Sequence, residues 1–283
     1  MTLNTRFVLP ACFLLSMVAC TVFKKDTGHT IIFQQVDQHL ADSTKAAIRG
    51  ISNDHFRALQ YQGMGDTIIQ YRLLSPPSVN DQNKYPLVLV LHGSGSPIGT
   101  NNTSQLGVLA KFWAQPAIQA QYPAYILAPQ FPRRSSNYVM GIQKVLTSVP
   151  DPCLTTALQL VDSLCKVLPI DQKRIYVMGF SMGASSTINC IDLRPGLFAA
   201  AIAISGIPSF GHIDQLAKTP LWIIHGNTDT ENAIGSDSLL YTALQSYHDH
   251  KTLYWEIDHL NHDIYPGLYI GDAIPKWLFK HLR

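Results

Sequence analysis

Residues Arg174–Ser186, RIYVMGFSMGASS, decide the reading of the whole chain. The apolar run Ile175-Tyr176-Val177-Met178 reads as a short buried strand, and Ala184-Ser185-Ser186-Thr187-Ile188 reads as the start of a helix. Between them stands Gly179-Phe180-Ser181-Met182-Gly183, a G-x-S-x-G pentapeptide. Small residues on both sides of the serine let the backbone turn sharply, so that the hydroxyl projects from the sheet edge. Glycine and serine also build ordinary turns, so the other strand ends must decide.

The balance of the chain narrows the partners. At 283 residues, with a formal net charge of +2 and 14% charged residues, it has no basic field for nucleic acid and no acidic tail for a partner. A neutral substrate is expected. At the amino terminus, Arg6 precedes an apolar run, Phe7 to Val18, that is short for a bilayer span and reads as an export signal over residues 1–19. Its end, Ser16-Met17-Val18-Ala19-Cys20, resembles the lipobox of bacterial lipoproteins. That resemblance implies a lipid on Cys20, attachment to the membrane and a periplasmic or outer-membrane location in a bacterium. A cleaved soluble form and an uncleaved anchor are the alternatives. Cys153, Cys165 and Cys190 read as free thiols, and none has zinc-site spacing.

Residues 20–53 are polar and mildly helical, with Ile31-Ile32-Phe33 as their apolar cluster, and read as a tether with a short surface helix. One domain is expected over residues 54–283. It opens with an antiparallel hairpin, His55–Gln62 and Asp66–Leu74, around Gly63-Met64-Gly65. Pro86–Leu91 is an uninterrupted apolar run, the pattern of a strand buried on both faces. Strands at Ala124–Ala128, Ala199–Ile204, Leu221–Ile224 and Leu253–Ile257 then alternate with helices near Ser104–Phe112, Leu154–Leu168, Ser236–His250 and Ile274–Leu282, and Pro129–Tyr138 reads as a loop. Such alternation implies an α/β fold, a mostly parallel sheet covered by helices on both faces.

In such a sheet, ligands bind beyond the carboxyl ends of the strands. Four of these ends carry candidate chemistry: His92-Gly93-Ser94-Gly95, Ser181, His225-Gly226-Asn227-Thr228-Asp229 and Asp258-His259-Leu260-Asn261-His262. A serine hydroxyl needs a histidine to take its proton, and the histidine needs a carboxylate to fix its tautomer. Ser181 and Asp229 fit the first and last roles. His259 and His262 share a loop and compete for the middle one. His92 and His225 read as braces for their loops. A metal site at His259-x-x-His262-Asp263 is disfavoured, because the spacing lies in a loop instead of a helix. No cofactor is implied.

From about Asp66 onward the chain resembles the phospholipase/carboxylesterase and dienelactone-hydrolase branch of the α/β-hydrolase superfamily, near polyhydroxybutyrate-depolymerase-like and feruloyl-esterase-like exported proteins. The stretches that carry the resemblance are Pro86–Gly95, Ala128-Pro129-Gln130, Asp171–Gly183, His225–Asp229 and Lys276-Trp277-Leu278. It implies an α/β-hydrolase fold and a triad in the chain order Ser181, Asp229, His262, since the family's closing stretch ends in His-Asp, as His262-Asp263 does. It also implies backbone donors for an oxyanion at Met182 and at Ser94. Ala184 stands where the family often has a second glycine.

The expected activity is hydrolysis of a carboxylic ester, small or linked to polysaccharide, with Trp113, Phe131, Tyr138 and His259 as candidate pocket walls. A peptidase of prolyl-oligopeptidase type and a noncatalytic binding protein on a hydrolase fold are the competing readings.

Overall fold

The structure is a computed structural model that describes residues 28–283 except 65–66, 81, 95–102, 104, 142–143 and 248–250. The expected export signal, Cys20 and Gly95 lie outside the described residues. The strands are β1 (His29–Ile32), β2 (Arg57–Gln62), β3 (Ile68–Leu74), β4 (Tyr85–Leu91), β5 (Tyr125–Gln130), β6 (Ser136–Met140), β7 (Leu146–Pro150), β8 (Ile170–Phe180), β9 (Ala200–Ile204), β10 (Leu221–Gly226) and β11 (Leu253–Ile257). The helices are α1 (Gln38–Gly50), α2 (Val108–Phe112), α3 (Pro116–Gln121), α4 (Pro152–Val167), α5 (Met182–Leu193), α6 (Ile213–Leu216), α7 (Gly235–Gln245) and α8 (Ala273–Leu278).

Among the described residues, the main sheet runs β1-β11-β10-β9-β8-β4-β5-β3-β2. Only the β2–β3 and β3–β5 pairings are antiparallel. The period-two alternation of a strand sorts its side chains between two cores. Val88 and Val90 of β4 join Phe112, Trp113 and Trp277 on one face, while Leu87, Leu89 and Leu91 meet Leu158, Ile188 and Leu244 of α4, α5 and α7 on the other. Both faces are covered, which explains why β4, β8 and β9 read as continuous apolar runs.

Two regions differ from expectation. Residues 29–32, read as part of a tether, form an edge strand paired in parallel with β11, through His29↔Tyr254 to Ile32↔Ile257. The sheet therefore takes in chain that precedes Asp54. Ile32 is buried there while Ile31 and Phe33 stay exposed, so the apolar cluster was the signal of a half-buried edge. The stretch read as a loop up to Tyr138 runs into β6, which makes an antiparallel hairpin with β7 outside the main sheet. Buried polar side chains hold that hairpin to α5. Ser135 and Ser136 hydroxyls lie 2.7 and 2.8 Å from Ser186 Oγ, and Asn189 Nδ2 donates to Ser136 and Ser148 at 2.9 and 3.1 Å.

The corner at Ser181 is as tight as its glycines suggested. Strand β8 ends at Phe180 and α5 starts at Met182, leaving Ser181 alone between them at φ 57° and ψ −123°. A side chain is strained there, at a cost of about 1–3 kcal/mol. A Cβ on Gly179 would come 2.3 Å from the Gly183 carbonyl carbon, and one on Gly183 would come 2.1 Å from Leu91 O. Both glycines are thus needed for α5 to pass back across β8 and β4. Ala184 fits because its neighbour is Gly206, where a Cβ would meet the Ala184 methyl at 2.7 Å.

Candidate active site

Four strand ends converge at one edge of the sheet. Ser181 follows β8, Gly93 and Ser94 follow β4, Asp229 follows β10, and His262 follows β11. The last two loops are interlocked. A Cβ on Gly226 would lie 2.1 Å from Leu260 O, so only glycine lets the β10 and β11 ends approach this closely. Asn227 then bridges them, accepting from His259 N–H at 2.9 Å and donating to Asp258 at 3.0 Å.

The approach aligns three side chains. His262 Nε2 lies 2.9 Å from Ser181 Oγ, and His262 Nδ1 lies 2.7 Å from Asp229 Oδ2. A carboxylate accepts only, so Nδ1 carries the proton and Nε2 is free to accept from the serine hydroxyl. Asp229 Oδ1 accepts from the N–H groups of Glu231 and Asn232, at 2.9 and 2.8 Å, which sets the plane of the carboxylate. Burial raises the Asp229 pKa, but hydrogen bonds from His225, His262 and Asn232 outweigh it and bring it down to about 2. The Phe180 ring packs against the His262 imidazole at 4.8 Å. From α1, Lys45 reaches across to hold Asp263, the residue after His262, at 2.6 Å.

The donor side is built from backbone. Met182 is the first residue of α5, so its N–H is among the groups at a helix start that lack an intrahelical acceptor. Gly93 approaches the serine so closely that a Cβ there would touch Ser181 Cβ at 3.5 Å. His92 braces this loop: its Nδ1 donates to Gly93 O at 2.9 Å and its Nε2 accepts from Phe131 N–H at 3.2 Å. Burial lowers its pKa, in keeping with a neutral ring.

Two hollows meet at Ser181. One, of about 400 Å³, has apolar walls that include Val90, Leu109, Ala110, Phe180 and Ile264, with Lys45 and Arg49 at its rim. The other, of about 500 Å³, is polar and open, lined by Arg134, Asn137, Tyr138, Glu231 and Asn232. Tyr138 is the expected wall that the structure places at the site, where its hydroxyl meets Ser185 Oγ at 3.2 Å.

Three other candidates lie elsewhere. Trp113 is fully buried, stacked on Phe279 at 5.8 Å within the core under the sheet. Phe131 is also fully buried and packs behind the His92 ring at 5.4 Å. His259 has a side chain 85% exposed and turns to Asp258 at 3.5 Å, so it competes neither as a wall nor as the partner of Ser181. Among the described residues, no cluster of three or more His, Cys, Asp or Glu is placed to hold a metal. Cys153, Cys165 and Cys190 are free thiols. Glu231, whose carboxylate is 3.6 Å from His262 Nε2, stands out only in the structure, and Asp237, set aside from the sequence as lying too far into the following helix to serve the histidine of the last loop, contacts His225 instead. Asp237 lies 12 residues from His225, and only the entry of α7 beneath the β10 end brings them together.

The family follows from a match over residues 64–257 to the model described as "Putative esterase". The chain belongs to that esterase family. Its fold is that of α/β-hydrolases. A curated relative, the bifunctional acetylxylan esterase/xylanase of Neocallimastix patriciarum, is 30% identical over 131 residues, 44% of this chain and 19% of that protein. A solved thermostable esterase is 31% identical with a TM-score of 0.73, over 81% of this chain and 64% of its own. The chain thus spans about a fifth of the first relative and under two thirds of the second. At lower identity the likeness is one of fold. The ferulic acid esterase of Anaeromyces mucronatus, solved with ferulic acid, has a TM-score of 0.54 at 14% identity, over 75% of this chain and 85% of its own. The acylaminoacyl peptidase of Pyrococcus horikoshii has 0.57 at 15%, over 84% of this chain and 43% of its own.

Proposed function

We propose that this esterase-family chain hydrolyses carboxylic esters through an acyl-enzyme on Ser181. The observation that carries the reading is the hydrogen-bonded row Ser181 Oγ, His262 Nε2, His262 Nδ1, Asp229 Oδ2, at 2.9 and 2.7 Å. His262 takes the proton as Oγ attacks the ester carbonyl, then gives it to the departing alcohol. Water repeats the sequence on the acyl group, with the serine as leaving group. Asp229 holds the tautomer and stabilises the imidazolium. The N–H groups of Met182 and Ser94 receive the oxyanion, each worth about 3–4 kcal/mol in the transition state.

The acetylxylan relative favours a short acyl group on a carbohydrate alcohol, and the polar hollow beside Ser181 suits such an alcohol. Peptidases on the same fold make amide cleavage the competing activity. Turnover of p-nitrophenyl acetate and acetylated xylan is expected to exceed that of an aminoacyl p-nitroanilide by at least about 100-fold in kcat/KM, a difference of some 2.7 kcal/mol. Preference for the anilide would replace the ester reading with a peptidase.

The amino-terminal reading adds export and a lipid anchor at Cys20. Its support is the Arg6–Cys20 pattern alone. Palmitate labelling in a bacterial host, lost in Cys20→Ala, is the expected result; equal labelling of both would remove the anchor.

A further inference from the structure

Behind Asp229 lies a second imidazole that the proposed reaction does not use. His225, at the end of β10, is fully buried. Its Nδ1 lies 2.7 Å from Asp237 Oδ2, and its Nε2 lies 2.8 Å from the Asn232 carbonyl and 3.3 Å from Asp229 Oδ2. Every one of these partners accepts, so both ring nitrogens donate and the ring is an imidazolium. Asp237, buried in the first turn of α7, balances it from the far side. A buried cation persists only with such pairing, and a buried pair is costly unless it serves geometry or charge.

We propose that His225 and Asp237 are positioning residues for Asp229: the pair points its positive end at the carboxylate, holds it in line with His262 and offsets part of its charge at the His262 ring. This rests on Ser181, His262 and Asp229 acting as proposed. Asp229 Oδ2 is shared between the two imidazoles while Oδ1 is fixed by backbone, so its acceptor sites are all occupied. Burial lowers the His225 pKa, but hydrogen bonds to Asp229 and Asp237 overcome it and push it up to about 10, so the ring stays charged through the neutral range. Burial raises Asp237 as well, and the pair retains one proton between Nδ1 and Oδ2, which the negative charge of Asp229, 3.3 Å from Nε2, draws onto the His225 ring. The other titratable groups packed around the row are the Tyr254 phenol, bonded to Ser238 at 2.9 Å, Glu256 near it, Glu231 beside His262, and Asp263, paired with Lys45. Arg49 stands at the rim.

His225→Gln alone strands a buried carboxylate, so the decisive variant is His225→Gln with Asp237→Asn, which keeps a hydrogen-bonding pair without buried charge. The positive end is nearer to His262 than the negative end, and its loss makes protonation of His262 easier. The acid limb of kcat/KM for p-nitrophenyl acetate is therefore expected to move to higher pH, by about half a unit or more. The plateau should fall less than about tenfold, since the three reacting groups remain. A merely structural pair would lower the melting temperature and the plateau with the limb unmoved. A folded double variant whose limb stays in place, or moves to lower pH, overturns the proposal. Full activity in Ser181→Ala would overturn the triad reading instead.

Discussion

Ser181→Ala is expected to abolish turnover of p-nitrophenyl acetate, with kcat falling on the order of 10⁵–10⁶-fold, and to leave the fold intact. The loss is large because, among the described residues, Ser181 bears the one hydroxyl bonded to His262 Nε2. Structure should survive for a specific reason. The Ser181 side chain makes no capping bond to α5, and the turn is held by backbone, with Ser181 N–H on Ile204 O at 2.9 Å and Ser181 O accepting from Ala184 at 2.9 Å. Alanine bears the same strain at φ 57° as serine does. A melting curve within a degree or two of the parent, alongside the lost turnover, checks both halves.

Asp229→Asn should cost about 10³–10⁴ in kcat, although only one atom changes. The backbone N–H groups of Glu231 and Asn232 demand an acceptor at the Oδ1 position, so the amide oxygen stays there. The amide NH₂ then takes the place of Oδ2, facing His262 Nδ1 and His225 Nε2. A donor now meets His262 where an acceptor stood. The imidazole answers by carrying its proton on Nε2, where it can no longer receive one from Ser181. KM should change little, because Asp229 lies behind the histidine and away from both hollows. A variant with parental kcat would show that the carboxylate is not the orienting group.

Much of this site was legible because its parts stand at strand ends. The G-x-S-x-G corner, the glycines after β4, and a serine, an aspartate and a histidine loop in that order at successive strand ends follow from alternating apolar runs and the residues that end them. His262 was separable from His259 only through the family's closing His-Asp; structure adds the reason. His259, at φ 53°, turns its ring into solvent, and Asn261 anchors the loop to Thr230 so that His262 points inward.

What escaped the sequence depends on packing between distant segments. The strands Ser136–Met140 and Leu146–Pro150 are short and half polar, and their buried serines, Ser136 and Ser148, find their partners in Ser186 and Asn189 of α5. No local pattern records such a partnership. Trp113 and Phe131 follow the same logic in reverse: a large aromatic near a catalytic strand suggests a wall, but both side chains fill core. The edge strand His29–Ile32 buries one residue of four, too few for a clear alternation.

The most direct test of the central claim is labelling of the folded protein with a fluorophosphonate, followed by peptide mapping. The phosphonyl group should form one bond, to Ser181 Oγ, displacing fluoride, with stoichiometric loss of ester turnover and no labelling after His262→Ala. Esterase activity that persists in fully labelled protein, or a label that maps to another residue while activity falls, would contradict Ser181 as the nucleophile.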